Sequence, residues 1–384
     1  MSLAAAAFWI GAGLAVYAYV GYALCVAALA RFRPRPARPA DGEPLVSLVI
    51  PAHNEAAWMA TKLDNTLLLD YPPDKLDILV VSDGSDDGTE RLAEAYATLG
   101  VRTIVQPVRA GKEAAMHVAA KHARGGILVF TDANAMLNRE ALRRIVRWFA
   151  DPEVGCVAGE KRVGALAGES PAAGEGAYWR YESWLKRLDS VAGSAMGATG
   201  ELLAIRRELV VPKETDNIIE DFVLSMRAVI SGYRIVYEPG AVATEEAPAA
   251  TTDVFERRAR IAAGAFQAMW RLRPMLDPRR GVVWWQYVSH RVLRWAVVPF
   301  CLPVLLVLNA ILLPVGPRYQ AAFVIQAAFY GAALTGWALR RRAAGRLRVV
   351  LLPFFFSAAN LAAIVGCARL ATHRQTVLWK KARR

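Results

Sequence analysis

The sequence contains little cysteine and few acidic residues. Its four cysteines, Cys25, Cys156, Cys301 and Cys367, form no CxxC pair, which excludes a disulfide framework and argues against a structural zinc site. The 34 acidic residues stand against 47 basic ones, for a formal net charge of +13. Such a balance fits either nucleic-acid binding or arginines that flank membrane segments, and the positions of the charges decide between them.

The amino-terminal segment predicts a membrane helix. Residues 8–30 contain no charged side chain, and roughly 20 apolar residues suffice to cross a bilayer. No basic stretch precedes them and they exceed the length of a signal-peptide core, so we expect a retained helix in residues 1–31, with a cleaved signal peptide as the alternative. An Arg/Pro-rich linker follows in residues 32–45. The positive-inside rule then places the amino terminus outside and the chain that follows Arg31 in the cytoplasm.

Residues 46–277 have the pattern of an α/β domain. Apolar runs bounded by turn residues alternate with amphipathic stretches, which predicts a doubly wound, mostly parallel sheet. Ligands of such sheets bind at the carboxyl ends of the strands. The expected strands are 46–50, 76–81, 101–105 and 127–130, and the expected helices are 56–69, 89–99, 113–123 and one that begins at Asn138.

The carboxyl-terminal part is apolar again. In residues 278–295, Gln286, His290 and Arg294 recur every four positions, which predicts an amphipathic helix in the membrane interface, with a buried amphipathic helix as the alternative. Residues 296–371 predict about three transmembrane helices, and 372–384 form a basic tail. Because most of the excess charge lies beside membrane segments, we expect no nucleic-acid partner. Three crossings would put the tail outside, whereas its basic residues favour the cytoplasm, the side that we predict.

Three predicted strands end in polar loops. PAHNE follows the first, SDGSDDGT the second, and TDAN the strand at 127–130. Each loop alone is consistent with a turn or a helix cap. Together they place carboxylates and small residues at one edge of the sheet, where a nucleotide would bind.

With these motifs, residues 46 to about 270 resemble a family 2 glycosyltransferase with the GT-A fold, and the flanking membrane segments resemble those of hyaluronan, chitin, cellulose and poly-N-acetylglucosamine synthases. The resemblance implies a nucleotide-sugar donor, with a loop that wraps the nucleobase and ribose, an aspartate that hydrogen-bonds uracil, and cations near the diphosphate. The implied donor residues are Pro51, Ala52, Asn54, Glu55, Asp83, Lys112, Asp132 and Arg260.

The resemblance also implies a divalent metal. TDAN matches the D-x-D motif, in which two oxygen ligands bind a cation that bridges the diphosphate. Asp132 and Asn134 are the implied ligands of Mg²⁺ or Mn²⁺. The second acid is replaced by an amide here, so the ligand at 134 carries no charge.

The remaining motifs concern the acceptor. NIIEDF matches the family's base motif, which implies that Asp221, with Glu220 beside it, takes the acceptor proton; adjacent acids at a helix amino terminus also favour the helix dipole. Gly197, Thr199 and Gly200 match the stretch that lines the acceptor pocket. Arg257-Arg258-Ala259-Arg260-Ile261 occupies the QxxRW position, where Arg257 replaces the glutamine and Ile261 the tryptophan.

The sequence therefore predicts a membrane-embedded inverting glycosyltransferase of a bacterial-type inner membrane. We expect transfer from a UDP-sugar to a growing polysaccharide or glycan. The alternative is a single transfer to a lipid acceptor such as a polyprenyl phosphate. A transporter or scaffold that retains a nucleotide-binding domain is a third interpretation, and Asp132 and Asp221 argue against it. Because Ile261 offers no flat ring for stacking, we expect one or few additions per encounter.

Overall fold

The computed structural model describes residues 2–164, 173–246, 251–339 and 348–376. Residues 340–347, which contain four arginines, and the tail beyond residue 376 lie outside the described residues. The strands are β1 (Val46–Ala52), β2 (Leu76–Asp83), β3 (Val101–Gln106), β4 (Ile127–Phe130), β5 (Met136–Leu137), β6 (Val154–Gly164), β7 (Leu203–Arg206) and β8 (Arg234–Glu246). The α-helices are α1 (Leu3–Val16), α2 (Tyr22–Phe32), α3 (Ala56–Leu67), α4 (Thr89–Glu94), α5 (Lys112–His122), α6 (Ala141–Val146), α7 (Ala173–Ala192), α8 (Glu220–Ile230), α9 (Thr251–Arg271), α10 (Val282–Tyr287), α11 (Val298–Leu312), α12 (Pro317–Leu339) and α13 (Arg348–Ala371).

The strands form one sheet in the order β3-β2-β1-β4-β7-β6-β8-β5. The first four in chain order pair in parallel, as the alternating pattern predicts. The other half is mixed, because β7 runs antiparallel to both β4 and β6 while β6 and β8 are parallel. No strand was predicted after residue 130, so the mixed half of the sheet was not predicted from the sequence.

The sheet is covered on both faces, which explains the continuous apolar runs in its parallel strands. Val49, Leu79 and Phe130 belong to one buried cluster, together with residues of α5, α8 and α9. Leu48 and Val80 point to the opposite face and belong to a second cluster with residues of α3 and α6. Burying each such side chain contributes roughly 1.5–3 kcal/mol of transfer free energy, so the register of the strands is strongly fixed.

Within the described residues, four helical stretches are long and apolar enough to cross a membrane: Leu3–Phe32, Val282–Val315, Pro317–Leu339 and Leu351–Ala371. Leu3–Phe32 joins α1 and α2 through a wider π-helical turn at Tyr17–Gly21. Val282–Val315 likewise joins α10 to α11 through a π-helical segment. The predicted interface helix and the first carboxyl-terminal span are thus one continuous helical stretch.

The polar stripe of this stretch faces the protein. Gln286, His290 and Arg294 are all buried. His290 Nδ1 lies 2.6 Å from Asp189 of α7, and Arg294 pairs with Glu182 of the same helix at 2.5 Å. These three side chains therefore behave as the buried alternative described above, and they attach the membrane part to the α/β domain. The position of the helix in the membrane interface stays a prediction.

Candidate active site

The loop after β1 is hydrogen-bonded to the loop after β2. Asn54 has a φ of 56°, in the left-handed region that asparagine tolerates better than most residues. Its side-chain oxygen accepts the backbone N–H of Asp86 at 2.9 Å, and its own N–H donates to Ser85 Oγ. Pro51 and Ala52 are the last buried residues of β1, and Glu55 donates its N–H to Thr89. The residues predicted to surround the nucleobase thus lie together where these two loops are joined by hydrogen bonds.

Asp83 holds the loop that carries the lysine. Its two carboxylate oxygens accept the backbone N–H groups of Ala110 and Gly111 at 2.6 and 2.7 Å. Gly84, with a φ of 62°, lies so close that an added Cβ would be 2.6 Å from the backbone N of Arg109, so only glycine fits there. In addition to its predicted contact with uracil, Asp83 therefore positions the start of α5.

Lys112, the first residue of α5, lies among the acidic residues of the site. Its Nζ is 2.5 Å from Asp132 Oδ1 and 3.5 Å from Glu220 Oε1. Burial would lower the pKa of this ammonium, but Asp132 and the neighbouring acids raise it above its ordinary value, so the lysine is charged. The structure thereby brings together the predicted diphosphate cation, metal ligand and base motif.

Asp221, the second residue of α8, lies directly beside this cluster. Its Oδ1 accepts the N–H of Phe222 at 2.8 Å. Burial and the adjacent Glu220 raise its pKa to about 7, which suits a group that must take a proton near neutral pH. Gly200 lies between the two halves of the site, since a Cβ there would be 2.5 Å from Lys112 Nζ and 3.4 Å from Asp221 Oδ2.

Three carboxylates from separate strand ends form a candidate metal centre. Asp132, Glu201 and Glu245 each place one oxygen within 4.8 Å of the others. Carboxylate oxygens are the ligands that Mg²⁺ and Mn²⁺ prefer, so the donor set fits a divalent cation. The buried Lys161 pairs with Glu201 and, at 2.7 Å, with Glu245. Asp132 is the most accessible of the three acids.

Asn134, the second predicted ligand, is not part of this acidic group. It is 9% exposed and lies in the turn that follows Asp132. A hydrogen bond from Ala135 N–H to the carbonyl of Asp132 closes this turn. The role of Asn134 as a ligand stays a prediction, and Glu201 and Glu245 are further candidates.

The helix α9 supplies the arginines of the site. Arg257 reaches Glu201 at 3.3 Å, and Arg260 donates to the carbonyl of Ile218, within the base motif NIIEDF, at 2.9 Å. The negative charges of Glu220 and Asp221 face Arg260 and partly offset the lowering of its pKa by burial. Ile261 is 38% exposed.

The predicted acceptor stretch packs against the base helix. Gly197 has a φ of 99°, and a Cβ there would be 2.4 Å from the ring of Phe222, the residue after Asp221. Ala198 donates its N–H to Ser225 of the same helix. Thr199 is only partly buried, and its carbonyl accepts the N–H of Leu202. Substitution of Gly197 would therefore displace Phe222, and substitution of Gly200 would displace Lys112.

Lys161, Glu201, Glu245 and Lys62 were not among the predicted site residues. Glu245 lies at the end of β8, so the same rule about strand-end carboxylates would have indicated it had that strand been recognised. Glu201 directly follows Gly200 in the predicted acceptor stretch. Lys161 and Lys62 are buried lysines whose location depends on tertiary contacts, and no local sequence signal indicates it.

Curated relatives and a solved structure are similar to this chain. A poly-beta-1,6-N-acetyl-D-glucosamine synthase of Staphylococcus aureus is 26% identical over 234 residues, covering 59% of this chain and 56% of the relative. A beta-monoglucosyldiacylglycerol synthase of Synechocystis is 24% identical over 259 residues, covering 66% of this chain and 52% of the relative. The chain thus spans little more than half the length of these curated relatives.

The similarity to a solved structure extends over almost the whole chain. The mannosyltransferase PcManGT from Pyrobaculum calidifontis, in complex with GDP-Man and Mn²⁺, aligns with a TM-score of 0.74 and 25% identity, covering 97% of this chain and all of that one. Residues 47–211 match the model of glycosyl transferase family 2. The chain therefore carries a family 2 glycosyltransferase domain with the GT-A fold, flanked by apolar helices long enough to span a membrane.

Proposed function

We propose that the protein is an inverting glycosyltransferase that transfers a sugar from a nucleotide-sugar to a growing polysaccharide or glycan at the cytoplasmic face of the inner membrane. The observation that carries this proposal is the position of Gly200 between Lys112 and Asp221. Because Gly200 has no side chain, the ammonium of Lys112 can lie against its backbone, so that a phosphate-binding cation and a proton acceptor are close together in one site. The family 2 domain supports the same reaction class.

The residues of the site divide the reaction between them. Asp221 takes the proton of the acceptor hydroxyl as that oxygen attacks the anomeric carbon. The bond from this carbon to the diphosphate breaks on the opposite face, and the nucleoside diphosphate leaves with the electron pair. Lys112 and Arg260 stabilise the negative charge that develops on the departing phosphate.

A divalent cation would be held by Asp132, with Glu201, Glu245 and Asn134 as further oxygen donors. When bound, it supplies Lewis-acid stabilisation of the leaving diphosphate. Mn²⁺ in PcManGT supports metal dependence for this chain. Both Mg²⁺ and Mn²⁺ match the donor atoms.

The comparisons support more than one nucleotide and more than one class of acceptor. The resemblance of the motifs favours a UDP-sugar, whereas PcManGT was solved with GDP-Man. The Staphylococcus relative supports a polysaccharide product, and the Synechocystis relative supports the second candidate, a single transfer to a lipid. The half-exposed Ile261 at the stacking position also fits a short product.

The test is a release assay on the full chain in lipid nanodiscs. Nucleoside diphosphate is measured with UDP-glucose, UDP-N-acetylglucosamine, UDP-galactose, UDP-glucuronate and GDP-mannose, with Mn²⁺ or EDTA. Release from one donor that is lost in Asp221→Asn supports the proposal. The product from that donor is then separated into lipid extract and water-soluble polymer. No release from any donor above the Asp221→Asn background contradicts the proposal, and full release in excess EDTA contradicts its metal dependence.

A further inference from the structure

A buried lysine lies behind the turn that carries Asp132. Lys62 of α3 is completely buried, although lysine is almost never buried without a specific partner. Its Nζ donates to Thr131 Oγ1 at 2.9 Å and to the carbonyl of Ala135. The lysine therefore bridges the two ends of the segment that contains Asp132 and Asn134.

The two residues that accept from Lys62 are themselves buried and held by backbone hydrogen bonds. Thr131 is fully buried and donates its N–H to the carbonyl of Val49 in β1. Ala135 is also fully buried and closes the turn by donating to the carbonyl of Asp132. The amino group of Lys62 thus completes a ring of contacts around the turn, and its loss would leave a buried carbonyl and hydroxyl without this donor.

A second side chain of α3 acts on the same segment. Asn65, one helical turn after Lys62, accepts the N–H of Leu137 at 2.8 Å and donates to its carbonyl at 2.9 Å. One face of α3 therefore fixes residues 131–137 at three points. Ordinary apolar packing would anchor this segment without burying an amino group there, so the lysine calls for a specific explanation.

We propose that Lys62 is a positioning residue that holds the turn of Asp132 in the geometry that binds the divalent cation. This inference rests on the proposed function, since it assumes that Asp132 is a metal ligand. Removing a group that orients a metal ligand without touching the metal typically weakens metal affinity by about 10–100-fold. Lys62 itself lies outside the reacting atoms, and its effect passes through the backbone between Thr131 and Ala135.

The test is direct binding of Mn²⁺ to the full chain in nanodiscs, measured by the electron paramagnetic resonance signal of free Mn²⁺ with nucleoside diphosphate present. In Lys62→Met, which keeps the length and removes the donor, we expect the dissociation constant to rise by about 10-fold. Thr131→Val removes one acceptor and should raise it by a smaller factor. The double variant should be no weaker than Lys62→Met, because both changes remove the same hydrogen bond.

The matched control is Ile78→Ala, a buried substitution at the amino end of β2, on the edge of the sheet opposite the site. It should lower the melting temperature and leave the Mn²⁺ dissociation constant unchanged. A Lys62→Met protein that is less stable but binds Mn²⁺ as the wild type does would overturn the inference. If Lys62→Met does not fold, unchanged binding in Thr131→Val overturns it. Failure of the wild-type protein to bind Mn²⁺ would instead contradict the proposed metal site.

Discussion

Lys112 Nζ and Asp132 Oδ1 lie 2.5 Å apart, as an ion pair between the start of α5 and the loop after β4. The predicted diphosphate cation and the predicted metal ligand thus neutralise one another. A divalent cation and a diphosphate that enter together can replace this pair with two new ones, metal to Asp132 and phosphate to Lys112. The geometry therefore favours cooperative binding of metal and nucleotide.

Replacing Lys112 should separate the two binding events. In Lys112→Met, Asp132 loses a competing cation, so Mn²⁺ alone should bind several-fold more tightly. Nucleoside diphosphate should bind about 10- to 100-fold more weakly, because a charge-assisted hydrogen bond contributes roughly 1.5–3 kcal/mol. Calorimetry with each ligand alone measures both effects. Lys121→Met, at the exposed end of the same helix, is the control, and weaker Mn²⁺ binding in Lys112→Met would contradict the argument.

Removing the proposed base should affect chemistry more than binding. Asp221→Asn keeps the shape of the side chain but cannot accept the proton, so turnover should fall by about 10²-fold or more while donor affinity changes little. Glu220→Gln should retain more turnover, since Glu220 pairs with Lys112 only at 3.5 Å. Rapid-quench turnover and donor binding are measured separately. Near wild-type turnover in Asp221→Asn would transfer the role of base to Glu220.

The pH profile follows from the raised pKa of Asp221. The base must be deprotonated, and its pKa is about 7, so kcat/KM should fall about tenfold per pH unit well below pH 7. Glu220 is one cause of the raised pKa, so Glu220→Gln should move this fall to lower pH. The same donor and acceptor are used for both proteins, so that substrate ionisation cancels. An identical profile in the variant would show that Glu220 does not tune Asp221.

The parallel half of the fold and most of the site were predictable for a local reason. In a parallel sheet every strand ends at the same edge, so the loops with Asn54, Asp83 and Asp132 had to converge once their strands were recognised. The proximity of Asp221 to these loops was implied instead by the resemblance to family 2 glycosyltransferases. No local pattern connects residue 221 with residue 132, because long-range packing brings them together.

The mixed half of the sheet was not predicted, because the local sequence pattern in one of its strands indicates a turn. Its strand β8 contains Pro239 and Gly240 in its middle, which read as a turn in the sequence. In the structure, β8 continues past an irregular register at this point and delivers Glu245 to the site. The positions of Lys62 and Lys161 were not predicted, because the sequence alone does not distinguish a buried lysine from an exposed one.

The carboxyl end of α13 lies against the α/β domain. Arg369 pairs with Glu256 of α9 at 2.6 Å. A Cβ on Gly366 would be 2.5 Å from the carbonyl oxygen of Ala259, which shows how closely the two helices pack. Because α9 also carries Arg257 and Arg260, the last described helix ends on the side of the predicted site residues. This contact supports the predicted cytoplasmic tail.

Accessibility of introduced cysteines tests this topology. Lys381→Cys, in a protein with the native cysteines replaced, should react with a membrane-impermeant maleimide from the same side of sealed vesicles as Glu94→Cys, an exposed residue of α4. Val315→Cys, at the turn before α12, should react from the opposite side. Labelling of Lys381→Cys together with Val315→Cys would mean that α13 crosses the membrane fully and ends outside.

We predict that Ile261 determines how firmly the acceptor is held. It follows Arg260 on α9 and is 38% exposed, so a larger ring has room to extend toward solvent. Trp270, the nearest tryptophan on the same helix, lies nine positions further along, about 13 Å away. It is 73% exposed and stacks with Arg273, so it is poorly placed to replace a ring at 261.

Introducing the missing ring should therefore change the product. In Ile261→Trp, stacking on a sugar should lower the acceptor KM by about 2–10-fold or lengthen the product, with the donor KM unchanged, because aromatic contacts contribute roughly 0.5–1.5 kcal/mol. Trp270→Leu is the control and should leave product length as it is. Product length is read by gel electrophoresis or mass spectrometry at early time points. If the wild-type protein already makes long polymer without releasing short intermediates, another group holds the acceptor, and shortening of that polymer in Trp270→Leu would identify it.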